Sequence, residues 1–324
     1  MNFITLICFS RKTFIVNILF LFICLSLGTV NAGIEDFFHK AENKSPIHKM
    51  RNIDFIYMIN LDERPEKLKE SMTALEVYGI YPYRFAAVNG WKLSHQAINQ
   101  VGLQFNRTMT VGAMGTVYRW REGEEYISHE LIQEEGTTYF SHCLSRGAIG
   151  IVLSHLSVLQ DAYDAGYQTI WVMEDDIQVL SDPREISDLI EKLDRLANGW
   201  DILFTDIDIK DYFGKPVPCL ATCFRPNFQI QPLEYYIQRH PISSDFSQIR
   251  ARYGAHSMII RRSGMKKLLD FIKTYKIYLP YDIDYCYPPG IKLFCCNKDI
   301  VSNKPGAISD NGVPAYEAKQ KRHT

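Results

Sequence analysis

Thr169-Ile-Trp-Val-Met-Glu174-Asp175-Asp176 is the stretch on which the reading of this 324-residue chain turns. Its apolar part is short and rich in β-formers, the composition of a buried strand, and it stops abruptly in three carboxylates. A buried parallel strand that ends in acids presents them at its carboxyl edge, where open α/β sheets bind their ligands. Adjacent negative charges repel one another unless a cation compensates them, and hard oxygen donors suit Mg²⁺ or Mn²⁺. A cation there would be placed to grip a diphosphate and offset the charge that builds as it leaves. The bland reading of the same residues is a solvated acidic turn.

The flanks favour the first reading. Ser145 is positioned to cap a helix whose apolar stripe runs through Ile149, Val152, Leu153, Leu156, Leu159 and Tyr163 at i, i+3, i+4 spacing. Gly166 supplies the stop, and the strand follows within a few residues. Upstream, Ile53 to Leu61 reads as a first buried strand. Asp62 is the expected cap of the next helix, Pro65 is tolerated in its first turn, and Gly79 ends it. Tyr83 to Val88 reads as a second strand closed by Asn89-Gly90. Strands alternating with helices predict an α/β fold with a mainly parallel sheet and helices on both faces.

Several blocks resemble glycosyltransferase family 25, which includes bacterial lipooligosaccharide galactosyltransferases and collagen galactosyltransferases. The most specific is Gly147-Ala-Ile-Gly150-Ile-Val-Leu-Ser154-His155 followed, one helix later, by Val172-Met-Glu174-Asp175-Asp176. Ile56-Tyr-Met-Ile-Asn60-Leu-Asp62-Glu-Arg64-Pro65 resembles the family's opening strand and turn. Arg84-Phe-Ala-Ala-Val-Asn89-Gly90 resembles its second strand, with Asn where Asp is usual. Trp200-Asp201-Ile-Leu-Phe, Tyr253-Gly254-Ala-His256-Ser-Met-Ile-Ile and Leu279-Pro280-Tyr-Asp282 are similar to its later blocks, so the resemblance covers about residues 53–310. Ala148 and Asn303 depart from it, standing where Glu and Gln are usual, and residues 91–145 match nothing in it.

The resemblance implies a GT-A-like, Rossmann-type domain over residues 53–324. It further implies inverting transfer of a hexose, galactose above all, from a UDP-sugar to a glycan, lipooligosaccharide or glycoprotein acceptor, with Mn²⁺ or Mg²⁺ as cofactor. Asp176 is the first choice of metal ligand. The second acidic pair, Asp206-Ile-Asp208, competes for that role because its spacing puts both carboxylates on one face of an extended chain. Glu174 and Asp175 are expected to contact metal or donor ribose. Asn60 and Arg64 sit where the first strand turns into its helix, where an arginine fork and a helix N-terminus could hold a diphosphate, or where Arg64 is simply a surface residue. Asn89 and Ser154 are further substrate-binding candidates. His155 has an active-site role as donor or orienter, against the bland reading of a satisfied core histidine. An inverting transfer needs a carboxylate to accept the acceptor's proton; Asp282 is that candidate, followed by Asp284, against a loop acid or cap.

Residues 91–145, with scattered Gly and charge, are read as loop-like, a lid or acceptor-binding insertion. Residues 183–197 form a charged amphipathic helix, and 216–241 an irregular stretch. Ala255 to Ile260 is a further strand, with Ser263 capping a helix over 264–273. Ahead of the domain, residues 33–52 read as a linker. Residues 13–32 are an apolar run preceded by Arg11 and Lys12 and ending in Val30-Asn31-Ala32, a secretory signal peptide or an uncleaved anchor. Either assigns the protein to the secretory pathway or to a membrane.

The formal charge of −1 provides no basic field for nucleic acid. Six cysteines lie outside the leader. They allow three bridges in an oxidising compartment and reduced thiols in the cytosol; a zinc site built on Cys219 and Cys223 is the remote alternative. Two other readings compete with transfer: a non-catalytic carbohydrate- or nucleotide-binding protein of the same fold, and a metal-dependent phosphoesterase, which would need more histidine ligands near the acids.

Overall fold

The computed structural model describes residues 33–219, 224–229 and 231–320. The leader at 13–32 and Cys223 lie outside them. Among the described residues no helix is long and apolar enough to cross a membrane. Gly33–Thr324 forms one compact unit.

In chain order the first α/β pass comprises β1 (Phe55–Asn60), α1 (Pro65–Glu76) and β2 (Tyr83–Ala86). Then come α2 (His95–Val101), β3 (Leu103–Gln104), β4 (Met114–Arg121), β5 (Glu124–Leu131) and β6 (Thr138–Ser141). The long helix α3 (Arg146–Asp164) leads into β7 (Thr169–Glu174), β8 (Ile177–Val179), α4 (Ile186–Leu196) and β9 (Ile202–Phe204). The last third holds α5 (Leu233–Tyr236), β10 (Arg239–Pro241), β11 (Phe246–Ile249), β12 (Ser257–Arg261) and α6 (Arg262–Tyr275). It closes with α7 (Tyr281–Asp284), β13 (Leu293–Cys296), β14 (Val301–Asn303) and α8 (Ala315–Gln320).

The main sheet has the order β10-β11-β13-β9-β12-β7-β1-β2. The expected α/β architecture is present, with parallel pairing in β2-β1-β7 and between β13 and β9. β12 runs antiparallel to both β7 and β9, which makes the sheet mixed. β1 and β7 are buried on both faces, so each reads as a continuous apolar run. Alternate side chains go to opposite layers. Tyr57, Ile59, Ile170 and Val172 pack with α3 and α6, whereas Ile56, Met58, Trp171 and Met173 pack with Leu75 of α1 and Ile190 and Leu193 of α4.

Local signals were placed with mixed success. Ser145 caps α3 as expected, its Oγ accepting from Ala148 N at 3.1 Å, and Gly166 follows the helix at φ 79°. Asp62 does not cap α1: Arg64 is the N-cap residue, while the Asp62 carboxylate pairs with Arg84. Ser263 likewise lies inside α6 and donates to Asp201 Oδ1 at 2.6 Å. The segment read as a linker is docked on α3, with Ile34 buried, His39 N donating to Ser157 Oγ at 3.0 Å and Lys44 paired to Asp161 at 2.8 Å.

Residues 91–145 are not loop-like. They hold α2 and an antiparallel sheet of order β3-β6-β4-β5. β5 is mostly exposed along its length, so its Glu-rich sequence carries no apolar alternation and hides the strand. Cys286, Cys295 and Cys296 are free thiols.

Candidate active site

The carboxyl ends of β1, β2 and β7 meet the starts of α1 and α3 around one cavity. It is lined by Asn60, Arg64, Asn89, Ser154, His155, Glu174, Asp175 and Asp176 among others. Eight of the residues expected from sequence therefore converge.

Each has a definite partner. Asn60 spends both amide hydrogens, on Arg64 O at 2.9 Å and on Asp175 Oδ2 at 2.6 Å, while its Oδ1 accepts from Arg84 Nε at 3.0 Å. It thus orients Asp175 and the first turn of α1 together. Ser154 braces the fold: Val88 N donates to its Oγ at 2.8 Å and the hydroxyl donates to Gly150 O at 2.7 Å. That brace sits where the turn after β2 crosses α3 so closely that a Cβ on Gly150 would lie 2.5 Å from Val88 O. Glycine is required there by close approach rather than by its φ.

His155 is buried and pairs through Nε2 with Glu174 Oε1 at 3.0 Å. Its ring stacks on Tyr281 at 4.2 Å, and its Nδ1 has no hydrogen-bond partner. Burial alone would raise the Glu174 carboxyl, but His155, with His256 and Lys67, outweighs it and the pKa is lowered. Asp175 goes the other way, to about 7, because burial and neighbouring Asp176 outweigh Lys67 and Asn60. Lys67 Nζ, one helical turn after Arg64, lies 3.3 Å from Asp176 and 3.9 Å from Asp175.

Lys67, Trp91, Asp310 and Asn311 were missed by sequence reasoning. Lys67 had a signal, since i and i+3 share a helix face. Asp310 had none. Residues 304–316 cross the cavity as a strap: Asp310 accepts from Arg64 Nε at 2.5 Å, and Trp91 Nε1 donates to Asp310 O at 2.8 Å. Ser145 Oγ bonds to Asn311 Oδ1 at 2.7 Å and Asn89 Nδ2 to Tyr316 Oη at 3.0 Å. Arg64 is left 1% exposed, and the cavity offers only about 100 Å³. Ligand clefts usually offer about 300–1,000 Å³, so the strap leaves this one narrow.

Two expected residues do not line the cavity. Asp282 holds the start of α7 by accepting from Gly254 N at 2.9 Å, and burial raises its pKa. Asp208 is a correction: it is buried and paired with Arg239 at 2.5 Å. Asp206 beside it accepts from Arg252 at 2.7 Å, His256 at 3.0 Å and Ser302 at 2.8 Å. Arg252 and Arg239 thus already occupy this pair, although burial still raises the Asp208 pKa. Asp284 faces buried Arg225 at 3.4 Å.

Among the described residues no three His, Cys, Asp or Glu side chains form a ready-made metal site. Asp175 and Asp176 still fit a cation that arrives with a diphosphate, because Mg²⁺-like ions are commonly held by one or two carboxylates plus substrate oxygens.

An α/β sheet with strand-end acids and a cation-bearing helix start is a frame in which open sheets bind their ligands. The chain belongs to glycosyltransferase family 25 (LPS biosynthesis protein), which it matches over residues 53–286. It is 25% identical over 164 residues to a glycosyltransferase 25 family member of Aedes aegypti, covering 50% of this chain and 22% of that protein. It is 23% identical over 152 residues to the inactive glycosyltransferase 25 family member 3 of Homo sapiens, covering 47% and 21%. The matched stretch thus spans about a fifth of these relatives' length. An apo UDP-glucose pyrophosphorylase structure aligns at TM-score 0.29 and 10% identity, covering 54% of this chain and 61% of that one, a likeness too slight to bear on function.

Proposed function

We propose that the protein transfers a hexose, galactose first among the candidates, from a UDP-sugar to a hydroxyl of a glycan, lipooligosaccharide or glycoprotein acceptor, with inversion at the anomeric carbon. The observation that carries this reading is the convergence of the acid-ended β7 with Arg64 and Lys67 of α1 in one cavity. Export or membrane anchoring through residues 13–32 belongs to the same proposal, since a secretory lumen or the cytosol supplies nucleotide sugar.

Arg64, Lys67 and the first amides of α1 supply positive charge for a diphosphate. A divalent Mn²⁺ or Mg²⁺, held by Asp176 with Asp175, would add Lewis-acid stabilisation of the leaving diphosphate. The acceptor oxygen attacks the anomeric carbon while the bond to the diphosphate breaks and its electrons leave with UDP. The hydroxyl proton passes to the Asp282 carboxylate. That group stands outside the cavity lining but close enough to Glu174 and His155 for their charges to act on it, so transfer requires the site to rearrange around the acceptor. Donor entry requires residues 308–311 to give way, because Asp310 occupies Arg64.

Purified protein with UDP-galactose and Mn²⁺ is expected to release UDP, and Asp282→Asn to lose transfer while keeping UDP affinity. A folded protein that binds UDP yet turns over none of the common UDP-hexoses would favour the second reading, a non-catalytic binding protein of this fold. The narrow cavity and the human relative named as inactive support that alternative.

A further inference from the structure

The insertion builds a second, wider groove of about 660 Å³ between α2, the edge of β4 beyond its pairing with β6, and the 136–138 turn. Its lining combines Trp120, on the hairpin face turned to His95, with the amides of Gln96, Asn99, Gln100 and Gln104. Tyr126, in register with Arg119, stands on the hairpin's other face at the groove's edge. Trp120 is 58% exposed and Tyr126 43%, although both are large apolar side chains. The Trp120 ring rests against His95 at 5.7 Å between centroids, which leaves its remaining surface facing solvent.

The polar groups have spare capacity. Gln96 and Gln100, one turn apart on α2, have no hydrogen-bond partner among the described residues. Asn99 donates to His95 O at 3.0 Å, and Gln104 donates to Gly136 O at 2.9 Å; both keep an amide oxygen to accept. Such donors and acceptors side by side match hydroxyl groups, each of which is both.

Charge narrows the class further. His95 Nδ1 is held by Glu125 Oε2 at 3.1 Å, and Arg119 is paired with Glu130 and with Glu134, the latter at 3.2 Å. No uncommitted cation lines the groove, so a phosphate or carboxylate ligand would enter without a counter-charge. Aromatic faces beside neutral amides suit the C–H faces and hydroxyls of pyranose rings.

We infer that this groove binds a neutral oligosaccharide. On the reading of the protein as a transferase, on which this role rests, that oligosaccharide is the acceptor chain. A chain of contacts links the groove to the donor cavity. Glu125 also pairs with Arg146 at the start of α3, and Arg146 in turn reaches Leu93 O and Gly90 O, the latter at 3.4 Å. Gly90 lines the donor cavity and His95 the groove, five residues apart.

The test is a titration of the whole protein, without donor, with lactose, maltotriose and chitotriose, and with 3′-sialyllactose as the charged counterpart, followed by saturation-transfer NMR and tryptophan fluorescence. At least one neutral sugar is expected to bind, with affinity falling tenfold or more in Trp120→Ala and in the Gln96→Ala/Gln100→Ala double variant. Thermal midpoint and UDP affinity should not move in either, since these side chains are exposed or unpartnered. Loss of glycan binding in both variants, in a protein that fails to bind UDP, would uphold the groove and sink only the donor reading. Tighter binding of the sialylated sugar, unchanged binding in both variants, or no binding of any neutral sugar by the wild type would overturn the inference.

Discussion

Two acidic strand ends in this molecule, those of β7 and β9, are separated by the single strand β12 and have opposite fates. Asp206 and Asp208 follow β9 and are enclosed with Arg252 and Arg239. Glu174, Asp175 and Asp176 end β7 and face a cavity in which Lys67 pairs with the two aspartates, His155 bonds Glu174, and Arg64 is engaged by Asp310. The first group is a structural knot. In the second, burial and Asp176 push the Asp175 carboxyl up to about 7, whereas in the first Arg252 and His256 overcome burial and hold Asp206 well below its ordinary value. Carboxylates at a strand end become a site only where the fold withholds arginines from them.

Breaking the knot should have the largest effect. Asp206→Asn leaves Arg252, 0% exposed, without its counter-charge. A loss of about 3–5 kcal/mol in chemical denaturation is expected for breaking a buried pair. A loss below about 1 kcal/mol would mean that the two acidic ends do not differ as described.

The mirror experiment is Asp176→Asn. Turnover and metal-dependent UDP affinity should fall by about a hundredfold or more, the scale of removing one group that stabilises transition-state charge, while the thermal midpoint hardly drops. It could rise, because repulsion from Asp175 is relieved. Normal turnover in Asp176→Asn would transfer the metal role away from this strand end.

The strap sharpens the contrast on the cavity side. Asp310→Asn weakens a charge-assisted contact to Arg64, of a kind that contributes about 1.5–3 kcal/mol. UDP should therefore bind about tenfold more tightly, as calorimetry would show. Weaker binding would make Asp310 part of the donor site instead of its cover.

Acid provides the smallest of these tests. Burial would raise the Asp206 carboxyl, yet Arg252 and His256 hold it well below its ordinary value of 3.8. A depressed folded-state pKa contributes stability that is present above the unfolded value and lost as pH falls below it. By pH 3 this group alone should cost about 1 kcal/mol. Asp206→Asn should lack that part of the acid slope, and identical slopes in wild type and variant would refute the assignment.

What could be read from sequence was local. The buried runs of β1 and β7, the Ser145 cap and the Gly166 stop are set by side chains within a few residues, because strand burial and helix termination are short-range physics. The acid-ended strand and the first turn of α1 were visible for the same reason. Two errors came from partners that no local pattern names, and one from a strand without an apolar face. Arg84 draws Asp62 away from capping α1, Asp201 engages Ser263, and the exposed alternation of β5 carries no apolar period.

By itself, then, the sequence determined which segments are strands and helices in the α/β frame and which acids stand at strand ends. Only the tertiary structure decided which of those acids are neutralised. Arg252 lies 46 residues from Asp206, and Asp310 lies 246 residues from Arg64. Pairing charges over such separations depends on how the chain closes on itself, and periodicity along the chain does not encode it.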